Sequence, residues 1–241
     1  MNIDVREAWR RVERALASPV VRTAYLWGPP GTGKTYAAFN FGRVERGIYS
    51  VTLTPDTSAA ELRGHFVFKG GDTLWHHGPF ARAMIEGSRL VINEISNASA
   101  DVLALLFPIL ESWETARLTL PNNETLRPAE GFHVIATDNH PPDNLIEALQ
   151  DRFVAYLYVA HPHPDALAGL DDELRPLAES ALHITDNRRI SARGWSNLQM
   201  LRPEFEIREA CLLAFGPERG AMLGDAIALA LNSRKRKLWV K

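Results

Sequence analysis

Residues 28–35 read Gly28-Pro29-Pro30-Gly31-Thr32-Gly33-Lys34-Thr35. Glycines at this spacing let backbone N–H groups close around the phosphates of a nucleoside triphosphate, and a following helix adds the positive end of its dipole. Lys34 is placed to reach the β- and γ-phosphates, and the Thr35 hydroxyl to ligate Mg²⁺. The run Thr23-Ala24-Tyr25-Leu26-Trp27 before it has strand character, and Tyr36 through Phe41 can continue as a helix. Gly28, Pro29, Pro30, Gly31, Thr32, Gly33, Lys34, Thr35 and Tyr36 are therefore the candidate nucleotide-contacting residues.

A second group of residues completes this chemistry. The run Leu90-Val91-Ile92-Asn93-Glu94 reads as a strand with a polar tip. Hydrolysis at a phosphate loop needs an acidic residue there to polarise the attacking water, and Glu94 is the candidate base. Asn93 stands on the magnesium side, where its amide oxygen can accept a hydrogen bond from a metal-bound water but brings no negative charge. That predicts weaker Mg²⁺ retention or slow turnover. A further strand ends Ala136-Thr137-Asp138-Asn139. Asn139 can face the γ-phosphate and orient water beside Glu94, with Thr137 as a second candidate and turn chemistry at Asn-His-Pro-Pro as the competing explanation.

These groups must be positioned by a framework, and the chain predicts one. Asp4 caps an amphipathic helix running to about Leu16, and five short apolar runs follow, at Thr23–Trp27, Ile48–Leu53, Arg89–Asn93, Phe132–Thr137 and Val154–Val159. Helical stretches between them argue for a parallel α/β sheet covered on both faces, the three-layer arrangement of phosphate-loop NTPases. After His161-Pro162-His163-Pro164 the strand signal stops, and residues 165–232 read as helical. The expected organisation is an α/β nucleotide-binding core over residues 1–160 and a small helical lid over 161–241 with a basic tail, Arg234-Lys235-Arg236-Lys237.

Composition narrows the classes. The 241 residues are 46% hydrophobic and 23% charged, ordinary for a globular protein that can bury a sizeable core. A formal charge of -2 gives no general attraction for nucleic acid, although the basic tail could contact it. The single cysteine excludes an intrachain disulfide and fits a cytoplasmic setting. The charged N-terminus is unlike a secretory leader, and no run of about 18 apolar residues predicts a membrane span. His161 and His163 lack the further ligands of a recognisable metal site.

Taken in order, these motifs resemble an AAA+ ATPase of the MoxR type, a group close to the CbbQ/NorQ and McrB families, over residues 20–200. Beyond the phosphate loop, the matching stretches are Leu62-Arg63-Gly64, Trp75-His76-His77-Gly78-Pro79-Phe80 with Ala83, and Asn93-Glu94-Ile95. Phe132 through Asn139 resembles the sensor-1 strand, Ala148-Leu149-Gln150-Asp151-Arg152-Phe153 the arginine-finger segment, and Ser191-Ala192-Arg193 the start of the sensor-2 helix. The resemblance implies a homo-oligomeric ring, usually a hexamer, with ATP and Mg²⁺ at each subunit interface. Arg152 would then enter the neighbour's site, local pairing with Asp151 or Glu147 being the alternative. Arg193 would contact phosphate in its own subunit, with Arg188 and Arg189 as competitors.

The same resemblance implies two insertions, at residues 58–78 and 117–130. Phe66 and Phe68 in the first are candidates for gripping a client, or for packing their own loop. Ser96 and Asn97 depart from the Asn-Arg usual after the acidic pair, and a chain that stops soon after its lid is expected to carry no attached effector domain. The implied function is an ATP-driven chaperone that remodels or activates a partner, often one bearing a von Willebrand factor A domain. The alternatives are an NTP-driven motor of a nucleic-acid processing or restriction system, and a weakly hydrolysing nucleotide-gated scaffold.

Overall fold

The computed structural model describes residues 5–184 and 188–238. Asp4, Trp239 and the side chains of Arg234-Lys235-Arg236-Lys237 lie outside the described residues. The chain divides into two compact units, one of residues 1–29 and 34–160, the other of 30–33 and 161–241.

In the first unit, helix α1 (Val5–Ala17) leads into strand β1 (Thr23–Trp27), helix α2 (Lys34–Asn40) and strand β2 (Ile48–Thr52). A short helix α3 (Ala59–Arg63) opens directly into a hairpin of β3 (Gly64–Lys69) and β4 (Asp72–His77). Next come α4 (Pro79–Glu86), β5 (Arg89–Asn93), α5 (Ala100–Ile109), the small hairpin β6 (Leu118–Thr119) and β7 (Thr125–Leu126), then β8 (His133–Asp138), α6 (Glu147–Gln150) and β9 (Ala155–Tyr158). Five strands form one sheet in the order β2-β5-β8-β1-β9, and every neighbouring pair is parallel. The α/β expectation therefore holds, with each of the five apolar runs in the sheet.

Successive strand side chains point to opposite faces, which splits each run between two cores. Tyr25, Leu90, Ile92, Val134 and Ala136 pack with Phe80 and Met84 of α4 and Leu106 of α5. Ala24, Leu26, Val91 and Ile135 pack on the other side with Trp9, Val12 and Leu16 of α1 and Ala37 of α2. Residues 58–78 form α3 and the β3–β4 hairpin, and residues 117–130 carry the β6–β7 hairpin. Phe66 and Phe68 lie exposed on β3, and Phe66 meets Trp75 edge-on at 4.9 Å.

The second unit is helical: α7 (Pro164–Ala168), α8 (Arg175–Ser180), α9 (Ala192–Leu201), α10 (Ile207–Phe215) and α11 (Pro217–Leu238). They enclose a core of Leu167, Leu174, Trp195, Leu198, Cys211 and Leu223. The helical reading of residues 165–232 is interrupted between α7 and α8, because Asp171 turns back to accept N–H bonds from Glu173 and Leu174. No helix among the described residues is long and apolar enough to cross a membrane.

At the N-terminal end of the sheet, Arg89 and His133 face each other across β5 and β8. Arg89 Nε donates to His133 Nε2 at 2.8 Å, while His133 Nδ1 bonds Gly131 O at 2.7 Å, so the ring is the neutral tautomer with Nε2 accepting. Burial, together with nearby Arg89 and Arg43 and against the Gly131 bond and Glu45, lowers the His133 pKa from 6.5 to about 4. Between those values the unfolded chain binds a proton that the folded chain refuses. Stability is then complete above pH 6.5 and falls as pH drops toward 4, by at most about 3 kcal/mol. Urea unfolding at pH 7.5 and 5 is expected to show this loss, and His133→Gln, which keeps an acceptor without titrating, to remove it.

Candidate functional site

The C-terminal ends of β1, β5 and β8 bring the candidate residues of the first unit together. β1 ends into Gly28, which has φ +145°, and a β-carbon there would sit 2.3 Å from Val159 O. Only glycine fits at that approach. Gly31 and Gly33 also take positive φ, at 71° and 95°. Lys34, the first residue of α2, is buried. Its ammonium donates to Gly28 O at 2.8 Å, Pro29 O at 3.0 Å and Asn139 Oδ1 at 2.9 Å.

Asn139 continues the connection. Its Nδ2 donates to the Glu94 carboxylate at 3.2 and 3.4 Å. Ammonium, amide and carboxylate thus form one series, Lys34–Asn139–Glu94, contributed by the start of α2 and the ends of β8 and β5.

Glu94 has φ 55° and ψ 48°, a left-handed conformation that a residue with a side chain adopts only at a cost of about 1 kcal/mol or more. The surrounding bonds hold it there. Glu94 N donates to Thr137 O at 2.8 Å, Asn97 N donates to Glu94 O at 3.0 Å, and Ser96 N donates to Asp138 Oδ2 at 2.8 Å. Asp138 is fully buried, and its other oxygen takes bonds from His140 N at 3.0 Å and His140 Nδ1 at 2.8 Å. Burial alone would raise the Asp138 pKa, but these bonds from Ser96 and His140 outweigh it and leave the carboxyl below its ordinary value. Asp138 is therefore an ionised anchor for the turn that carries Glu94. Sequence reasoning named the residue without a role, because an Asp before Asn-His-Pro-Pro reads as an ordinary turn former.

Thr35 and Asn93 also meet. Thr35 Oγ1 donates to Asn93 Oδ1 at 3.3 Å, and Thr137 Oγ1 donates to the same oxygen at 2.9 Å. On its other side, Asn93 Nδ2 donates to Ser50 Oγ and Val51 O, each at 3.3 Å. The amide is thus matched to a site that offers donors on one side and a backbone carbonyl on the other. Asn93→Asp would turn a carboxylate oxygen toward Val51 O in a buried position. We expect it to lower unfolding free energy by about 1–3 kcal/mol in urea titrations while reducing the Mg²⁺ needed for half-maximal hydrolysis. Unchanged stability and unchanged Mg²⁺ dependence together would remove both roles from the amide.

The remaining candidates stand apart from this group. Tyr36 is exposed. Arg152 is bound within its own chain, Nε donating to Phe107 O at 3.2 Å, Nη2 to Glu111 Oε1 at 2.5 Å and Nη1 to Ala148 O. Its local carboxylate is Glu111 rather than Asp151 or Glu147. Arg193 stands exposed on the first turn of α9, whose N-terminus is capped by Ser191 Oγ accepting from Gly194 N at 3.1 Å.

Comparison with known proteins adds to this geometry. The sequence profile of the AAA domain, dynein-related subfamily, matches residues 24–153. Protein NorQ of Paracoccus denitrificans is 36% identical over 138 residues, covering 54% of this chain and 50% of NorQ. The denitrification regulatory protein NirQ of Stutzerimonas stutzeri is 26% identical over 228 residues, covering 83% of this chain and 82% of NirQ. The match therefore spans half the length of NorQ and most of that of NirQ. Among solved structures, NtrX from Brucella abortus superposes with a TM-score of 0.57 at 15% identity, covering 97% of this chain and 52% of NtrX. That likeness concerns the fold.

Proposed function

The chain belongs to the AAA+ family, in its dynein-related subfamily and MoxR-like branch, and on that footing we propose that it is an ATP-hydrolysing ring motor that remodels or activates a partner protein. The observation that carries this reading is the Lys34–Asn139–Glu94 series beside Thr35 and Asn93. An ammonium, an amide and a carboxylate in one hydrogen-bonded series support the reading, because phosphoryl transfer to water calls for a cation, an orienting group and a base close together.

In this reading Lys34 exchanges its loop carbonyls for phosphate oxygens and balances charge on the β- and γ-phosphates. Glu94 accepts the proton of the attacking water, and Asn139 holds the carboxylate and the water in register. Thr35 Oγ1 and Asn93 Oδ1 are hard oxygen donors turned toward each other, and they fit Mg²⁺. When bound, Mg²⁺ neutralises charge on the phosphate oxygens. Arg152 of an adjoining subunit completes the site, and Arg193 ties the helical unit to nucleotide state. The client is a protein, with a companion bearing a von Willebrand factor A domain as the expected type. That relatives include a protein named as a denitrification regulator supports action on another protein.

Lys34→Ala tests the site. Steady-state ATPase is expected to fall about 10²–10³-fold, the scale of losing one preorganised charge at a reacting centre. Activity within a factor of three of wild type would remove Lys34, and with it the proposed site.

A further inference from the structure

At the opposite end of the sheet from Glu94, Arg89 is 1% exposed yet carries a full positive charge. Its three hydrogen bonds go to uncharged acceptors: Ala38 O at 2.8 Å, Arg43 O at 3.0 Å and His133 Nε2. Buried charges are ordinarily paired, because desolvation costs several kcal/mol that only an opposite charge offsets well. No carboxylate among the described residues forms an ion pair with Arg89.

Two more arginines gather at the same place. Arg43 Nε is buried and has no hydrogen-bond partner. Arg46 lies across two glycines of positive φ, so that a β-carbon on Gly87 would fall 3.0 Å from its Nη1 and one on Gly131 3.4 Å from its Nε. Neither guanidinium forms an ion pair among the described residues. Between the 43–47 turn, Gly87, Arg89, Gly131 and His133 lies a cavity of about 70 Å³. Glu45, the carboxylate on its lining, is exposed.

We propose that this cavity is a second binding site, for one small oxyanion of the inorganic phosphate class. Guanidinium groups from the turn and from β5 line the cavity together, and such a set of fixed cations suits phosphate and sulfate. The volume admits a small polyatomic ion and excludes a nucleoside. The site is separate from the nucleotide pocket, since Arg89 and Asn93 stand four residues apart along β5, about 13 Å at strand rise. His133 Nδ1–H is directed at Gly131 O, so recognition comes from the arginines. Both the burial of Arg89 and the repulsion from Arg43 lower its pKa to about 10, against a pull from Glu45, and an anion here would relieve that penalty.

The test uses the full chain carrying Lys34→Ala, which removes the phosphate-loop lysine as a competing anion site. Inorganic phosphate is titrated against chloride at constant ionic strength and pH 7.5, with binding heats and thermal midpoint as readouts. The expected result is saturable binding and a midpoint rise of about 5 °C, with affinity at least ten-fold weaker after adding Arg43→Gln and Arg46→Gln. Should that variant not fold, Arg46→Gln alone, on an exposed side chain, gives the same comparison. A linear, non-saturating response, or saturable binding unchanged by the glutamines, overturns the proposal. Because the phosphate loop is disabled throughout, neither result depends on whether the chain hydrolyses ATP.

Discussion

Arg152→Ala is expected to lower steady-state ATPase by about 10³–10⁵-fold while leaving nucleotide affinity within a few-fold of wild type. The reason is geometric. In the proposed ring, a guanidinium entering from the neighbouring subunit would stabilise charge that develops only as the γ-phosphoryl group leaves, adding to the rate rather than to binding. In the structure Arg152 lies 5.1 Å from the centroid of the Phe107 ring and pairs with Glu111, with side chains 24% and 39% exposed. A pair this wet contributes at most about 1 kcal/mol, against about 4–7 kcal/mol for the expected rate effect, so giving up Glu111 for the adjoining site is a small cost. Mixing gives the decisive form of the measurement. Lys34→Ala and Arg152→Ala subunits are each expected to be nearly inactive alone, but together they would form hybrid interfaces holding one intact lysine and one intact arginine. Activity should return in the mixture. If Arg152→Ala retains its rate, or the mixture stays silent, the shared-interface site is wrong.

Glu94→Gln is the second large effect. Hydrolysis should fall about 10²–10⁴-fold, the range of a positioned general base, while ATP remains bound and detectable by a fluorescent analogue. Glutamine keeps an oxygen able to accept from Asn139 Nδ2, and the left-handed backbone remains anchored by Ser96 and Asp138. Loss of rate with binding intact would then report proton acceptance, not a disordered turn. Equal loss of binding and rate would instead make Glu94 a structural member of the site.

Much of the sheet was legible because each strand is a short apolar run whose alternate residues serve two cores, as with Leu90 and Ile92 on one face and Val91 on the other. Lys34, Thr35, Asn93, Glu94 and Asn139 were legible as candidates because phosphate chemistry calls for those types at the helix start after a phosphate loop and at the neighbouring strand ends. What escaped reading depends on pairs remote in sequence. Glu111 meets Arg152 across 41 residues, and Ser50 meets Asn93 across 43. Asp138 holds the Glu94 turn from a neighbouring strand, 42 residues from Ser96. No local pattern encodes such partners; they follow only once strand order and register are known. The helix Ile207–Phe215 lies within the 165–232 stretch read as helical, but its bounds were not legible. Its apolar residues sit beside exposed Leu212 and Leu213, which blurs the one-sided stripe that marks a helix.

Asn139 has a further consequence. A carboxamide is polar in opposite senses at its two tips, and here the oxygen faces an ammonium while the nitrogen faces a carboxylate. Displacement of the lysine would withdraw the partner of the oxygen and leave the amide held only through its bond to Glu94. Aspartate at this position would repel the glutamate, and leucine would break both bonds; under the proposed function, Asn139 would therefore act as a hinge of polarity relaying the occupancy of the loop to Glu94.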